Sequence, residues 1–178
     1  MDGVLIYMLI ASARWSASHK GKLPLFHADS ALLKSYVLPL ERQLFHSINR
    51  IRRIHGLDTL AWDWNLYYMS MIHSMEMAEE DYMSHKGFPG RAMQSGFPVC
   101  VENVGNVYGI VLNGGRVEIQ TAGMVIRQHP HYLMDVIRWW MANEGHRRNI
   151  LQPDIRRGSI AVYPGRNRIF ITFFACGD

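Results

Sequence analysis

The strictest pattern in the chain lies in its last quarter. Ile160 and Val162, then Ile169, Ile171 and Phe173, recur at the two-residue period of strands on either side of a Pro-Gly-Arg-Asn connection at positions 164–167. This reads as a hairpin of half-buried strands, and an isolated hairpin is at best marginally stable in water. The rest of the chain must therefore supply cover for it. With 178 residues, 48% of them hydrophobic and 19% charged, the chain suits one packed core and excludes fibrous or disordered classes.

The cover reads as helical. Leu44, Ile48 and Ile51, flanked by Phe45 and Ile54, recur at helical spacing up to Gly56, a residue suited to the position just beyond a helix end. Asp63 is placed to cap a second helix, in which Trp64, Tyr68, Met71, Met75 and Ala78 form the buried stripe and Glu76, Glu79 and Glu80 face away. The methionines read as core filler. The segment VCVENVGNVYG predicts an extended strand whose glycines let its backbone approach a neighbour closely. After a loop at Asn113, Gly114 and Gly115, the segment PHYLMDVIRWWM places Leu133, Ile137 and Trp140 on one helical face, with a break at Gly145. A short helical turn, GHRRNIL, follows.

Charge says little about partners. The formal net charge of +4 is mild, and Arg50, Arg52 and Arg53, Arg147 and Arg148, and Arg156 and Arg157 read as solvated faces, without the interleaved aromatics of a nucleic-acid surface. No nucleic-acid partner is expected. Cys100 and Cys176 are too few for a disulfide scaffold, but in an oxidising compartment they would join the middle of the chain to its last strand; free thiols are the alternative. Residues 4–13 (VLIYMLIASA) have the length of a signal h-region followed by small residues, and are too short to span a bilayer. No Lys or Arg precedes them, so an export signal, a packed helix and a truncated longer precursor all fit. The expected organisation is an extension and linker over residues 1–36 and one domain over residues 37–178, none of it transmembrane.

Nine histidines are many for this length, yet none belongs to a local metal signature. His129 and His131 read as a surface pair, and His73 as a helix residue facing either way. His85, in the turn MSHKGF, and His146, in NEGHRRNIL, lie where a loop can aim an imidazole into a cleft.

The ordered series INRIRRIHGLDTLAWD, HSMEMAEEDYMSH, RAMQSGF, VENVG, WWMANEGHRRNIL, GSIAVY and IFITFF resembles the CAP superfamily, which includes the cysteine-rich secretory proteins, antigen 5 and plant pathogenesis-related proteins. The likeness runs over residues 37–176 and is to the shorter bacterial members. It implies an α/β fold, a three-layer α/β/α sandwich with a small antiparallel sheet between helices. It also implies a cleft where two histidines and two acidic residues meet, the histidines holding zinc in members that bind it. Matched by motif, the histidines are His85 and His146, with Gly145 allowing the turn that presents His146. The first acid is Glu102, with Asn103 completing the motif and Val101 standing where the family has Gly. The fourth position falls on Asn143, with Glu144 one residue later, and either fits.

From these residues a divalent metal, Zn²⁺ above all, is the expected cofactor of His85 and His146. The favoured reading is a secreted or extracytoplasmic, non-catalytic binding domain whose cleft takes a divalent metal or a small or lipid ligand. A metal-dependent hydrolase using the same cleft is the alternative, and a purely structural or adhesive domain a third. Trp139, Trp140, Tyr67 and Tyr68 either line a ligand groove or pack on the sheet.

Overall fold

The structure, a computed structural model, describes residues 36–113 and 116–178, with the backbone alone given for 110–113 and 116–118. The apolar run at 4–13 and the linker-like stretch at 18–35 lie outside the described residues. In chain order the elements are α1 (Leu38–Ile54), β1 (Ala61–Trp62), α2 (Trp64–Glu80), α3 (Phe88–Ser95), β2 (Val99–Tyr108), β3 (Ile110–Asn113) and β4 (Arg116–Ile119), followed by α4 (Ala122–Gln128), a 3₁₀ turn (Pro130–Leu133), α5 (Met134–Ala142), α6 (Glu144–Ile150), β5 (Arg157–Pro164) and β6 (Arg168–Gly177). Among the described residues no helix is long and apolar enough to cross a membrane.

The central sheet has the order β1-β5-β6-β2. β5, β6 and β2 are antiparallel, while the two-residue β1 joins β5 in parallel at Ala61 and Trp62. β3 and β4 form a separate antiparallel hairpin around the Asn113 loop. Alternation sorts the sheet as the sequence pattern requires. Ile160, Val162, Ile169, Ile171 and Phe173 face the core shared with α1, α4 and α5, while Ala161, Tyr163, Phe170 and Phe174 face α2. Helices thus cover both faces, giving the three-layer α/β/α sandwich.

Local chemistry explains the helix ends. The Asp63 carboxylate accepts from the backbone N–H groups of Asn65 and Leu66 at 2.8 and 3.1 Å, capping α2. The expected close approach on β2 is at Gly105, where an added Cβ would lie 2.4 Å from Val136 Cγ2. Only glycine lets α5 settle so near the strand. Gly145, by contrast, is an ordinary position inside α6, and the chain breaks at Asn143, whose side-chain oxygen accepts from the His146 backbone N–H at 3.2 Å. His146 is therefore presented by an Asn cap on a new helix, a correction to the glycine turn expected for it.

Arg52 corrects another expectation. Rather than being solvated, its guanidinium is fully buried and donates to the carbonyls of Asp58, Ile150, Gln152 and Ile155 at 2.8–3.4 Å. It closes the C-terminal end of α6, where free carbonyls otherwise need partners. Cys100 and Cys176 sit opposite each other in the β2–β6 ladder and form a disulfide, with a sequence separation of 76. Closing a loop of that size restricts the unfolded chain by an amount worth about 4 kcal/mol in the chain-entropy treatment.

Glu41 is fully buried on α1. It accepts from Tyr67 Oη at 2.8 Å and from the Val162 backbone N–H at 2.8 Å. Burial pushes its carboxyl up from 4.5 to about 8, against the opposing pull of those two hydrogen bonds and of Arg42. A group whose folded pKa exceeds its unfolded value stabilises fully below the unfolded pKa and loses that contribution as pH rises through the folded one. Urea unfolding is therefore expected to show roughly 3 kcal/mol less stability at about pH 7 than at about pH 4.5 from this group alone. Glu41→Gln should flatten that slope; a slope unchanged in the variant would refute the assignment. Trp140 is fully buried and donates from Nε1 to Val104 O at 3.0 Å. Trp140→Ala is expected to cost about 3–5 kcal/mol in the same measurement.

Candidate functional site

The cleft is built on one carboxylate. Glu102 on β2 has a side chain only 1% exposed, and a buried charge needs partners. Arg91 on α3 provides a bidentate one, with Nε 2.9 Å from Oε2 and Nη2 2.9 and 2.7 Å from Oε1 and Oε2. His85 adds a third contact, Nδ1 to Glu102 Oε1 at 2.9 Å. His73 lies behind, its Nε2 3.9 Å from the same oxygen.

Each partner has a local reason for its place. Ser84 makes the turn its neighbour needs, its Oγ accepting from the Lys86 N–H at 3.4 Å. Gly87 follows in the left-handed region at φ 77° and opens α3, with Pro89 in the first turn. That helix start carries Arg91 back over Glu102. The His85 side chain is 50% exposed. Because a carboxylate can only accept, Nδ1 is the donor to Glu102, which leaves Nε2 as the nitrogen not bonded to Glu102 in this half-exposed side chain.

His146 comes from the other side. α6 is stitched to β2 by Asn149, whose Nδ2 donates to Glu102 O at 3.0 Å and to Asn103 Oδ1 at 2.9 Å, and by Asn103 Nδ2, which donates to His146 O at 3.0 Å. The ring packs against Trp139 at 4.8 Å and Trp140 at 6.4 Å between centroids. Its Nδ1 is buried and has no hydrogen-bond partner among the described residues. Desolvation, and then the charge of nearby His85, hold His146 below its ordinary pKa of 6.5, so the ring is neutral at pH 7.

The structure thus brings Glu102, His85 and His146 to one region around β2. Glu144 is elsewhere in its bonding: its carboxylate pairs with Arg148 at 2.7 Å, one turn along α6, and is 76% exposed. Asn143, the other option for that position, spends its side-chain oxygen on the α6 cap. Neither is bonded to an imidazole. Of the four aromatic candidates, Trp140 and Tyr67 are buried, Tyr68 is partly buried and Trp139 is 47% exposed. Trp139, Tyr108, Tyr132 and Val136 line an open groove of about 590 Å³.

Sequence reasoning gave no role in the cleft to Arg91, His73 or Asn149. A signal existed for two of them. A buried glutamate on a strand demands a cation, and Arg91 is a nearby basic residue on the short RAMQSGF segment. Asn149 sits at helical spacing from Asn143 and His146, on the α6 face turned to β2.

As a metal site the donor set is lean. Among the described residues no three His, Cys, Asp or Glu side chains form a metal-binding group. Glu102 is taken up by Arg91, so two imidazoles remain. His85 has the hydrogen-bonded carboxylate behind it that metal-ligating histidines normally have. His146 does not, because ligation through Nε2 would leave a proton on its unpartnered Nδ1. The residues fit a weak two-histidine site and fall short of the three protein ligands of catalytic zinc centres.

The model of the cysteine-rich secretory protein family (CAP) matches residues 45–177. The chain belongs to that family. It is 29% identical over 125 residues to the uncharacterized membrane protein YlbC of Bacillus subtilis (strain 168), covering 68% of this chain and 31% of that protein. Among solved structures, an extracellular protein containing a SCP domain from Bacillus anthracis str. Ames matches with a TM-score of 0.58 at 24% identity, over 80% of this chain and 41% of that one. An outer surface protein from Borrelia burgdorferi matches with a TM-score of 0.56 at 17% identity, over 79% of this chain and 94% of that one. At these identities the structural likeness is one of fold. The chain spans less than half of the Bacillus proteins and nearly all of the Borrelia one.

The Glu102 cluster generates a stability prediction. Arg91→Met leaves a buried carboxylate without its main partner and is expected to cost about 3–5 kcal/mol. Adding Glu102→Gln should recover a large part of that loss in a double-mutant cycle, whereas additive effects would show that the pair is not coupled.

Proposed function

We propose that this CAP domain is a non-catalytic, extracytoplasmic binding domain whose cleft takes a divalent metal ion, Zn²⁺ being the best suited, through His85 and His146. The observation that carries this reading is the locking of Glu102 by Arg91. The carboxylate is bonded on both oxygens, so it is poorly placed to serve as a general base or as a third metal ligand, and the hydrolase reading loses its proton acceptor. What remains free is imidazole: Nε2 of a half-exposed His85 and the neutral ring of His146. His85 and His146 would hold such an ion, which would supply a positive charge there, with Glu102 orienting His85 from behind.

Residence outside the cytoplasm is supported by the Cys100–Cys176 disulfide, which persists in oxidising compartments, and by the extracellular and outer-surface descriptions of the structural neighbours.

Calorimetric titration of the metal-stripped protein with Zn²⁺ at pH 7 tests the proposal. Uptake of one ion is expected, lost in both His85→Ala and His146→Ala, while each variant keeps its stability to within about 1 kcal/mol, as loop and half-exposed positions do. The unsatisfied Nδ1 proton of His146 should weaken binding by about 1–3 kcal/mol relative to a fully supported ligand. Equal uptake in wild type and variants, or none in wild type, would overturn the reading.

A further inference from the structure

His73 is a buried polar side chain that the cleft chemistry above does not use. It lies in the middle of α2, 1% exposed. Its Nε2 is 2.8 Å from the Ser84 carbonyl oxygen, and its Nδ1 is 3.3 Å from Glu76 Oε2. The Ser84 carbonyl can only accept, so Nε2 is the donor to it, and Nδ1 faces the Glu76 carboxylate. The Nε2 bond reaches across eleven residues to the turn immediately before His85, and the same nitrogen sits 3.9 Å from the carboxylate oxygen that holds His85 Nδ1.

We infer that His73 is a positioning residue for the cleft: by donating to the Ser84 carbonyl it clamps the turn that carries His85 and fixes the imidazole against Glu102. His85 has few other restraints. Half of its side chain is exposed, and its ring is held by the hydrogen bond to Glu102. The turn around it is short and polar, held by the local Lys86–Ser84 contact and by Phe88 N–H donating to His85 O at 3.1 Å. Those bonds shape the turn internally. On the far side of His85 the turn is tied by Arg91 Nη1, which donates to Lys86 O at 2.8 Å, and by Lys86 Nζ on Glu80; on the near side the bond from buried His73 ties Ser84 to α2, which is packed along β5 and β6. Glu76, one turn further along α2 and a third exposed, lies against the other ring nitrogen at 3.3 Å.

The inference rests on the reading of His85 as the donor that faces the ligand, and its test separates the two. His73→Gln keeps an N–H donor and His73→Met keeps the bulk without one, so the pair differs in the donor rather than in volume. The first readout is the ring ¹⁵N–¹H NMR spectrum of the metal-free protein. The His85 Nδ1–H resonance, protected by Glu102, should persist in wild type and His73→Gln and be lost to solvent exchange in His73→Met. The second is Zn²⁺ affinity, expected to stay within about threefold in His73→Gln and to fall about tenfold in His73→Met, the scale of losing an outer support of a ligand. A wild type that binds no Zn²⁺ would overturn the metal reading and leave the NMR comparison to decide the clamp. An unchanged His85 resonance in His73→Met, or equal effects in the two variants, would overturn the clamp itself.

Discussion

Among the described residues, two strands of the central sheet lack a neighbour along their outer edges, and the way those edges are closed governs the rest of the fold. β2 is the last strand on one side. The carbonyls of Glu102 and Val104 there are met by Asn149 Nδ2 and Trp140 Nε1, both from helices. On the other side β1 covers only the start of β5, at Arg157 and Gly158, and further along the Val162 N–H is met by the Glu41 carboxyl of α1. An exposed edge is a template for unwanted pairing, and a buried one with unmet groups is unstable. Here helix side chains take the place of missing strands, so α1, α5 and α6 are fastened to the sheet by hydrogen bonds as well as by apolar packing.

The cleft is a by-product of that fastening. The bond that closes the β2 edge at Glu102 O is also the one that holds α6, and α6 carries His146. The side chain of the same Glu102 collects Arg91 and His85. Arg52 then anchors the far end of α6 through Ile150 O and Gln152 O. One residue on an edge strand thus gathers α3, α6 and the 81–87 turn, with His73 linking that turn to α2. This explains why a site that looks like loose loop chemistry in sequence is attached to the most ordered part of the fold.

What was legible in the sequence follows from which interactions are periodic. The strand alternation at 160–173, the stripe of α1, the Asp63 cap and the apolar face around Trp140 are repeated or local signals, and each maps onto the structure directly. His85, Glu102 and His146 were legible through family resemblance, and the structure gathers them around β2. The residues that hold them were not, because their partners are remote. Arg52 reaches carbonyls about a hundred positions away, and nothing in the string INRIRRIHG marks its second arginine as buried. Glu41 lies at helical spacing from Leu44 and Ile48, on the face that α1 buries, yet nothing in the sequence names the Val162 N–H that its carboxyl meets. Gly145 suggested a turn by composition alone, whereas the break is made one residue before Glu144 by the Asn143 cap.

The same remoteness decides the chemistry of the cleft. A glutamate beside two histidines invites a metal-hydrolase reading whenever only residue types are counted. Whether the carboxylate is chemically available depends on its other neighbours, and here Arg91 occupies both oxygens from a helix that opens just past the His85 turn. A buried carboxylate so paired is a fixed negative charge: it keeps His85 in the tautomer that turns Nε2 outward, yet it has no lone pair in a free direction with which to take a proton from water. His146 differs: desolvation first, and then the charge of nearby His85, disfavour its charged ring. The two imidazoles are thus held by unlike means, His85 by a hydrogen bond to a carboxylate and His146 by packing against the rings of Trp139 and Trp140. Under the function proposed above, that arrangement suits reversible capture of a cation rather than the proton shuttling that hydrolysis requires.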